Sequence, residues 1–143
     1  MQDFRRLSAR RKAHATTLLV YHVTRKFPAE ERCGLQAQLR RSAMSVGANI
    51  AEGCGRYSEA EKAHFFQVAV GSASEVQNFL LLSHDLGLLD EAKFDRLSKD
   101  VVSVKRMLGG LLRRMRKKDG RLSNVSKREW RPGLPDRHLK TDS

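Results

Sequence analysis

Apolar residues recur at three- and four-residue steps along most of this chain. That is the period of an α-helix, and no stretch alternates long enough to make a strand. Helix 1 is expected from about Arg5 to Lys26, with Ala13, Thr17, Val20, Thr24 and Phe27 facing inward. Phe27-Pro28 ends it, because the residue before proline is pushed out of the helical region. Ala29-Glu30-Glu31 reads as the first turn of helix 2, with acids at its positive end, and the helix runs to about Cys54. Gly53 and Gly55 then supply a break. Ser58 followed by Glu61 is a capping box that opens helix 3, and Gly87 is a left-handed terminator just past its end near Leu86. Asp90 caps helix 4, whose Phe94, Leu97, Val101, Val104, Leu108, Leu111 and Met115 step by 3 and 4 in strict alternation. Such a seam belongs to a bundle. The loops are short, so the expected fold is all-α, an antiparallel up-down-up-down four-helix bundle over residues 1–118. Beyond Lys118 the periodicity stops, and residues 119–143 read as a flexible basic tail with Trp130 its only bulky aromatic.

Helices 2 and 3 break the usual rule that a surface helix keeps one charged face. Between Ser42 and Ala51 there is no charged side chain, and from Phe65 to Ser83 only Glu75. On helix 2, Leu35, Leu39, Val46 and Ile50 form an apolar stripe. Beside it Gln38, Arg41, Ser45, Asn49, Glu52 and Arg56 form a narrow polar one. On helix 3, Phe65, Val68, Ser72, Val76, Phe79 and Ser83 face one way, and Val70, Ala73, Gln77 and Leu81 another. Gly71 weakens a helix by about 1 kcal/mol relative to alanine, so a packing reason is expected for it. Two helices short of solvent-facing charge point to a homo-oligomer.

Composition narrows the class further. The 143 residues suffice for one core, and with only 6% aromatics that core rests on Leu, Val and Ala. The polar groups between Phe65 and Ser83 argue against a membrane span, and the basic start lacks a cleavage site, so a cytoplasmic protein is expected. Cys33 and Cys54 read as free thiols. The net charge of +12 is unevenly placed: 8 Lys/Arg against 3 acids in residues 1–32, 9 against 9 in 33–112, and 11 against 4 in 113–143.

The blocks VYHVTRKFP, GLQAQLRRSAMSVGANIAEGCGRYS and FFQVAVGSASEVQNFLLLSHDLGLL resemble a bacterial family of four-helix bundle proteins, first noticed as products of intervening sequences in 23S rRNA genes. The resemblance covers about residues 13–115. It matches the family's helix 2 pattern at Gln38, Arg41, Ser45, Asn49 and Glu52, and its helix 3 pattern at Gly71, Ser72 and Glu75. It implies a homopentamer. It also implies kinship with the accessory variability determinant of diversity-generating retroelements, a basic pentamer that assists a reverse transcriptase and binds nucleic acid.

Little in the chain carries chemistry. Glu52 and Glu75 are conceivable paired carboxylates, but with Gln38, Arg41, Ser45, Asn49 and Ser72 they read better as a structural stripe or partner site. Glu61-x-x-His64 has the spacing of a di-iron ligand pair without the second pair that such a site needs. No Walker loop, dinucleotide turn or nucleophile elbow is present, so no catalytic residue, metal or cofactor is expected. The basic ends carry more. An up-down-up-down bundle brings Arg5, Arg6, Arg10, Arg11 and Lys12 to the same end as Arg113, Arg114, Arg116, Lys117 and Lys118, a surface suited to phosphates. The expected function is a non-enzymatic homopentameric adaptor or assembly factor that binds RNA or DNA, or a nucleic-acid-bound protein such as a reverse transcriptase. The alternative is a protein-only scaffold that recruits its partner through the polar stripe or the tail.

Overall fold

The computed structural model describes residues 4–129, with side chains through residue 118. These residues form four α-helices, α1 (Phe4–Thr24), α2 (Leu35–Gly55), α3 (Glu59–Asp85) and α4 (Glu91–Glu129), with a 3-10 turn at Ala29–Glu31 and no strand among them. α1 and α3 each pack against both α2 and α4, so the helices ring one shared core. Each seam joins the late part of one helix to the early part of the next. Arg40 Nε donates to Thr24 Oγ1 at 2.8 Å between α1 and α2, Gly53 lies against Phe66 between α2 and α3, and His84 meets Glu91 between α3 and α4. Leu39, Ile50, Phe66, Leu80, Leu97 and Leu108 are fully buried. Each such side chain contributes about 1.5–3 kcal/mol through removal from water.

The helix ends follow local chemistry. Ser58 Oγ accepts from the Glu61 N–H at 3.1 Å, and Asp90 Oδ1 accepts from the Lys93 N–H at 2.8 Å. α3 closes as a Schellman turn, with Gly87 at φ 76° and the Leu88 N–H reaching the Ser83 carbonyl at 2.9 Å. The connection before α2 differs from the sequence expectation. Ala29–Glu31 is a separate 3-10 turn, and α2 begins only at Leu35. Glu31 explains the shift, because its carboxylate accepts from the Leu35 N–H at 3.1 Å and so sits at the mouth of α2 rather than inside its first turn.

Three other expectations change. Gly53 does not break α2. It is buried inside the helix, where a Cβ would stand 2.6 Å from Phe66 Cε1 and 3.2 Å from the Lys62 carbonyl oxygen. On α3 the core face is Phe66, Ala69, Ser72, Ala73, Val76, Leu80 and Ser83, while Val68 and Leu81 are exposed. Apolar residues of α3 fall on several of its sides, so periodicity alone could not choose the buried one. Finally, α4 continues as helix to Glu129, past the point where its apolar seam ends. Residues 119–129 contain no proline, and the next one after Pro28 lies at Pro132, so loss of amphipathicity did not stop the helix. Residues 130–143, assigned to the tail with Trp130, lie outside the described residues.

Candidate nucleic-acid interface

The start of α1 and the middle of α4 meet in a cleft of about 280 Å³ lined by Phe4, Arg5, Ser8, Arg106, Met107, Gly110 and Arg114. Arg113, Arg116, Lys117 and Lys118 are exposed on the same stretch of α4. Among the described residues, none of these α4 cations is paired with an acid. In water such cations repel one another, which makes the surface receptive to polyanions.

Not all ten cations expected at this end contribute alike. The Arg6 guanidinium lies 5.7 Å over the Phe66 ring and 3.8 Å from Glu59, which Lys62 also approaches at 3.6 Å. Lys12 Nζ bonds Asp100 at 3.0 Å. Arg6 and Lys12 thus tie helices together and spend much of their charge within the chain. Arg10 and Arg11 point toward α2 instead of α4. They border a groove of about 490 Å³ floored by Met44, Gly47, Ala48 and Ala51. The expected single patch is therefore two surfaces, with Arg5 and the α4 cations on one and Arg10 and Arg11 on the other. Arg106 is a further cation at this cleft, and it falls in the charge-neutral middle of the chain. The signal was its spacing, since Arg106, Gly110 and Arg114 step by four along one face of α4.

The polar stripe resolves into separate pairs. Ser45 Oγ and Ser72 Oγ lie 2.8 Å apart across the α2–α3 seam, and Asn49 Nδ2 donates to the Ser45 carbonyl at 2.8 Å and to its hydroxyl at 3.0 Å. This node fixes the register of α2 on α3. Arg41 bonds Gln38 on its own helix, and Arg56 bonds Glu52 at 2.9 Å in an exposed pair. Glu75 is exposed and has no partner among the described residues. Counting from the Ser45–Ser72 contact at 1.5 Å per residue along opposed helices, Glu52 and Glu75 lie about 15 Å apart along the bundle. Two carboxylates that far apart do not work as a catalytic pair.

The opposite end holds a proton-sensitive contact. His84 lies between Asp85, 3.0 Å away, and Glu91, and stacks on Phe94 at 4.4 Å. The hydrogen bond to Asp85 first, then that to Glu91, holds the imidazole above its ordinary value. Asp90 is held below the usual carboxylate range, chiefly by the Lys93 backbone N–H. Glu61 and His64 are both exposed, and no cluster of potential metal ligands occurs among the described residues. Cys33 and Cys54 are free thiols, and no described helix is long and apolar enough to cross a membrane.

Comparison with known proteins bears on the family and the fold. The family model of the 23S rRNA-intervening sequence protein matches residues 5–110. The chain belongs to this family. No curated protein matches it. Among solved structures, it is similar to a protein of unknown function from the S23 ribosomal protein family of Bacteroides thetaiotaomicron VPI-5482. The two superpose with a TM-score of 0.72 at 18% identity, covering 77% of this chain and 99% of that one. At that identity the likeness concerns the fold alone. The family match ends at Gly110, so Arg113, Arg114, Arg116, Lys117 and Lys118 lie beyond it.

Proposed function

We propose that this family member is a non-enzymatic, cytoplasmic, up-down-up-down bundle that assembles as a homo-oligomer and binds RNA or another nucleic acid through the phosphates. The observation that carries the reading is the convergence of Arg5 from α1 with Arg106 and Arg114 from α4, flanked by the exposed Arg113, Arg116, Lys117 and Lys118. Contacts of this kind follow phosphate geometry and charge, not base sequence. The seams described above, each joining a late segment to an early one, support the up-down-up-down course.

Assembly finds support in the outer faces of α2 and α3. Met44, Val68, Leu81 and Leu82 are exposed, and a Cβ at Gly47 or Gly71 would meet nothing within 4 Å. No packing inside the subunit accounts for Gly71, whereas a neighbouring subunit would. The number five rests on the family resemblance. A ring would repeat the basic end around its axis and raise avidity for a long polyanion. The second reading, a scaffold that recruits a protein partner through the polar stripe or the tail, finds support in the exposed apolar residues of α2 and α3 and in Glu75, which has no partner among the described residues.

The test replaces Arg113, Arg114, Arg116, Lys117 and Lys118 with glutamine. RNA binding should weaken while the mass of the assembly by native mass spectrometry stays the same. Unchanged RNA binding by that variant would reject the basic end as the site.

A further inference from the structure

We infer that the cleft between the first turn of α1 and the middle turns of α4 grips single-stranded nucleic acid, with Arg106 and Arg114 on its phosphates and Phe4 as a stacking surface for a base. The inference rests on the function proposed above and narrows it to one place and one strand form. Arg106 and Arg114 stand eight residues apart on one face, about 12 Å along the axis, so they meet different phosphates of a strand lying along α4. Midway between them Gly110 leaves a notch. A Cβ there would meet nothing nearer than guanidinium nitrogens at 3.8 and 3.9 Å, and at Gly109 one at 3.5 Å. Packing within the chain therefore does not demand this helix-weakening glycine pair, whereas close approach of a ligand backbone does.

Phe4 supplies the second, independent observation. The residue is 76% exposed, at the edge of a cleft flanked by guanidinium groups. An exposed ring stacks on any unpaired base, and arginine beside it adds attraction for the π-face. A duplex keeps its base faces stacked on one another and offers this ring nothing. The cleft, about 280 Å³, is at the small end of ligand pockets, which begin near roughly 300 Å³. It suits one unit of a strand rather than a folded partner.

The experiment uses the full chain at low salt with labelled oligouridine, oligothymidine and a duplex of equal length, read by fluorescence anisotropy. Phe4→Leu should weaken binding of the single strands at least about five-fold, the lower end of what one stacked base contributes, and leave the duplex unchanged. Gly110→Leu, which fills the notch without altering charge, should act in the same direction. Far-UV circular dichroism checks that both variants keep the helices. Equal losses on the uridine and thymidine probes assign the cleft to chemistry shared by RNA and DNA, and a loss on uridine alone assigns it to RNA. If both variants bind single strands like the parent while the α4 glutamine variant does not, the cleft assignment is overturned and the basic-end function stands. Equal weakening of the duplex by Phe4→Leu also overturns the cleft. A parent protein that binds none of the probes overturns both.

Discussion

Substituting Gly53 by alanine separates two effects that usually travel together. Any glycine-to-alanine change inside a helix gains about 1 kcal/mol of propensity. At Gly53 the new methyl would stand 2.6 Å from Phe66 Cε1 and 2.9 Å from Cδ1, where carbon atoms rest at about 3.5–4.0 Å. Phe66 has nowhere to go, since it is fully buried with Arg6 across its ring, and the Lys62 carbonyl at 3.2 Å holds the α3 backbone against the same spot. Overpacking of this kind costs about 1–3 kcal/mol. Gly110→Ala is the control, because its methyl makes only ordinary contacts at 3.8 and 3.9 Å and gains the same propensity. The difference between the two variants isolates the overpacking cost. At roughly 4 °C per kcal/mol for a chain of this size, Gly53→Ala should melt about 4–12 °C below Gly110→Ala. The melts are compared at one protein concentration, because assembly makes the midpoint concentration-dependent. A Gly53→Ala protein as stable as the Gly110→Ala one would refute the close approach of α2 and α3 at this position.

Gly71→Ala on α3 and Ala48→Glu in the groove between α1 and α2 should shift native mass spectra toward smaller species, whereas Lys99→Glu should not; unchanged spectra for the first two would reject these outer surfaces of α2 and α3 as the assembly surface. Ser72→Ala should lower stability by about 0.5–1.5 kcal/mol in urea denaturation, because it removes the hydroxyl bond across the α2–α3 seam, whereas Glu52→Gln, in an exposed pair, should change it by under about 1 kcal/mol. His84 titrates above its unfolded value, so its contribution is fully present below about pH 6.5 and is lost as pH rises through the folded value. His84→Gln should therefore lower the melting temperature more at pH 5.5 than at pH 8.5, and an equal loss at both would reject the Asp85–His84–Glu91 contact.

The parts of the fold legible in the sequence were those where one signal dominates. The α4 seam, the Ser58 and Asp90 caps and the Gly87 terminator came through, because a heptad, a capping side chain and a positive φ each leave a local mark. The α3 core face did not. Phe66 and Leu80 are buried while Val68 and Leu81 are exposed, yet all four are equally apolar, and the choice is made by packing against α2 and α4. Gly53 is ambiguous for a related reason, since a glycine that admits a ring looks in sequence like one that ends a helix. At the basic end the structure sets Arg5 beside Arg106 and Arg114. The sequence could not show that Arg6 and Lys12 are spent on Glu59 and Asp100, or that Arg10 and Arg11 turn toward α2. Arg106 sits in the charge-neutral middle of the chain, and only its spacing around the helix sets it beside Arg114.

The most direct measurement is the salt dependence of RNA binding, taken as the slope of log affinity against log salt for the parent and the α4 glutamine variant. Counterion release predicts a steep negative slope for the parent. For single-stranded RNA it should be shallower by about 0.7 for each phosphate-contacting cation removed, with little dependence on sequence in either protein. No detectable binding at low salt, or tight binding indifferent to salt, would contradict the basic end as a nucleic-acid surface and favour the protein-scaffold reading.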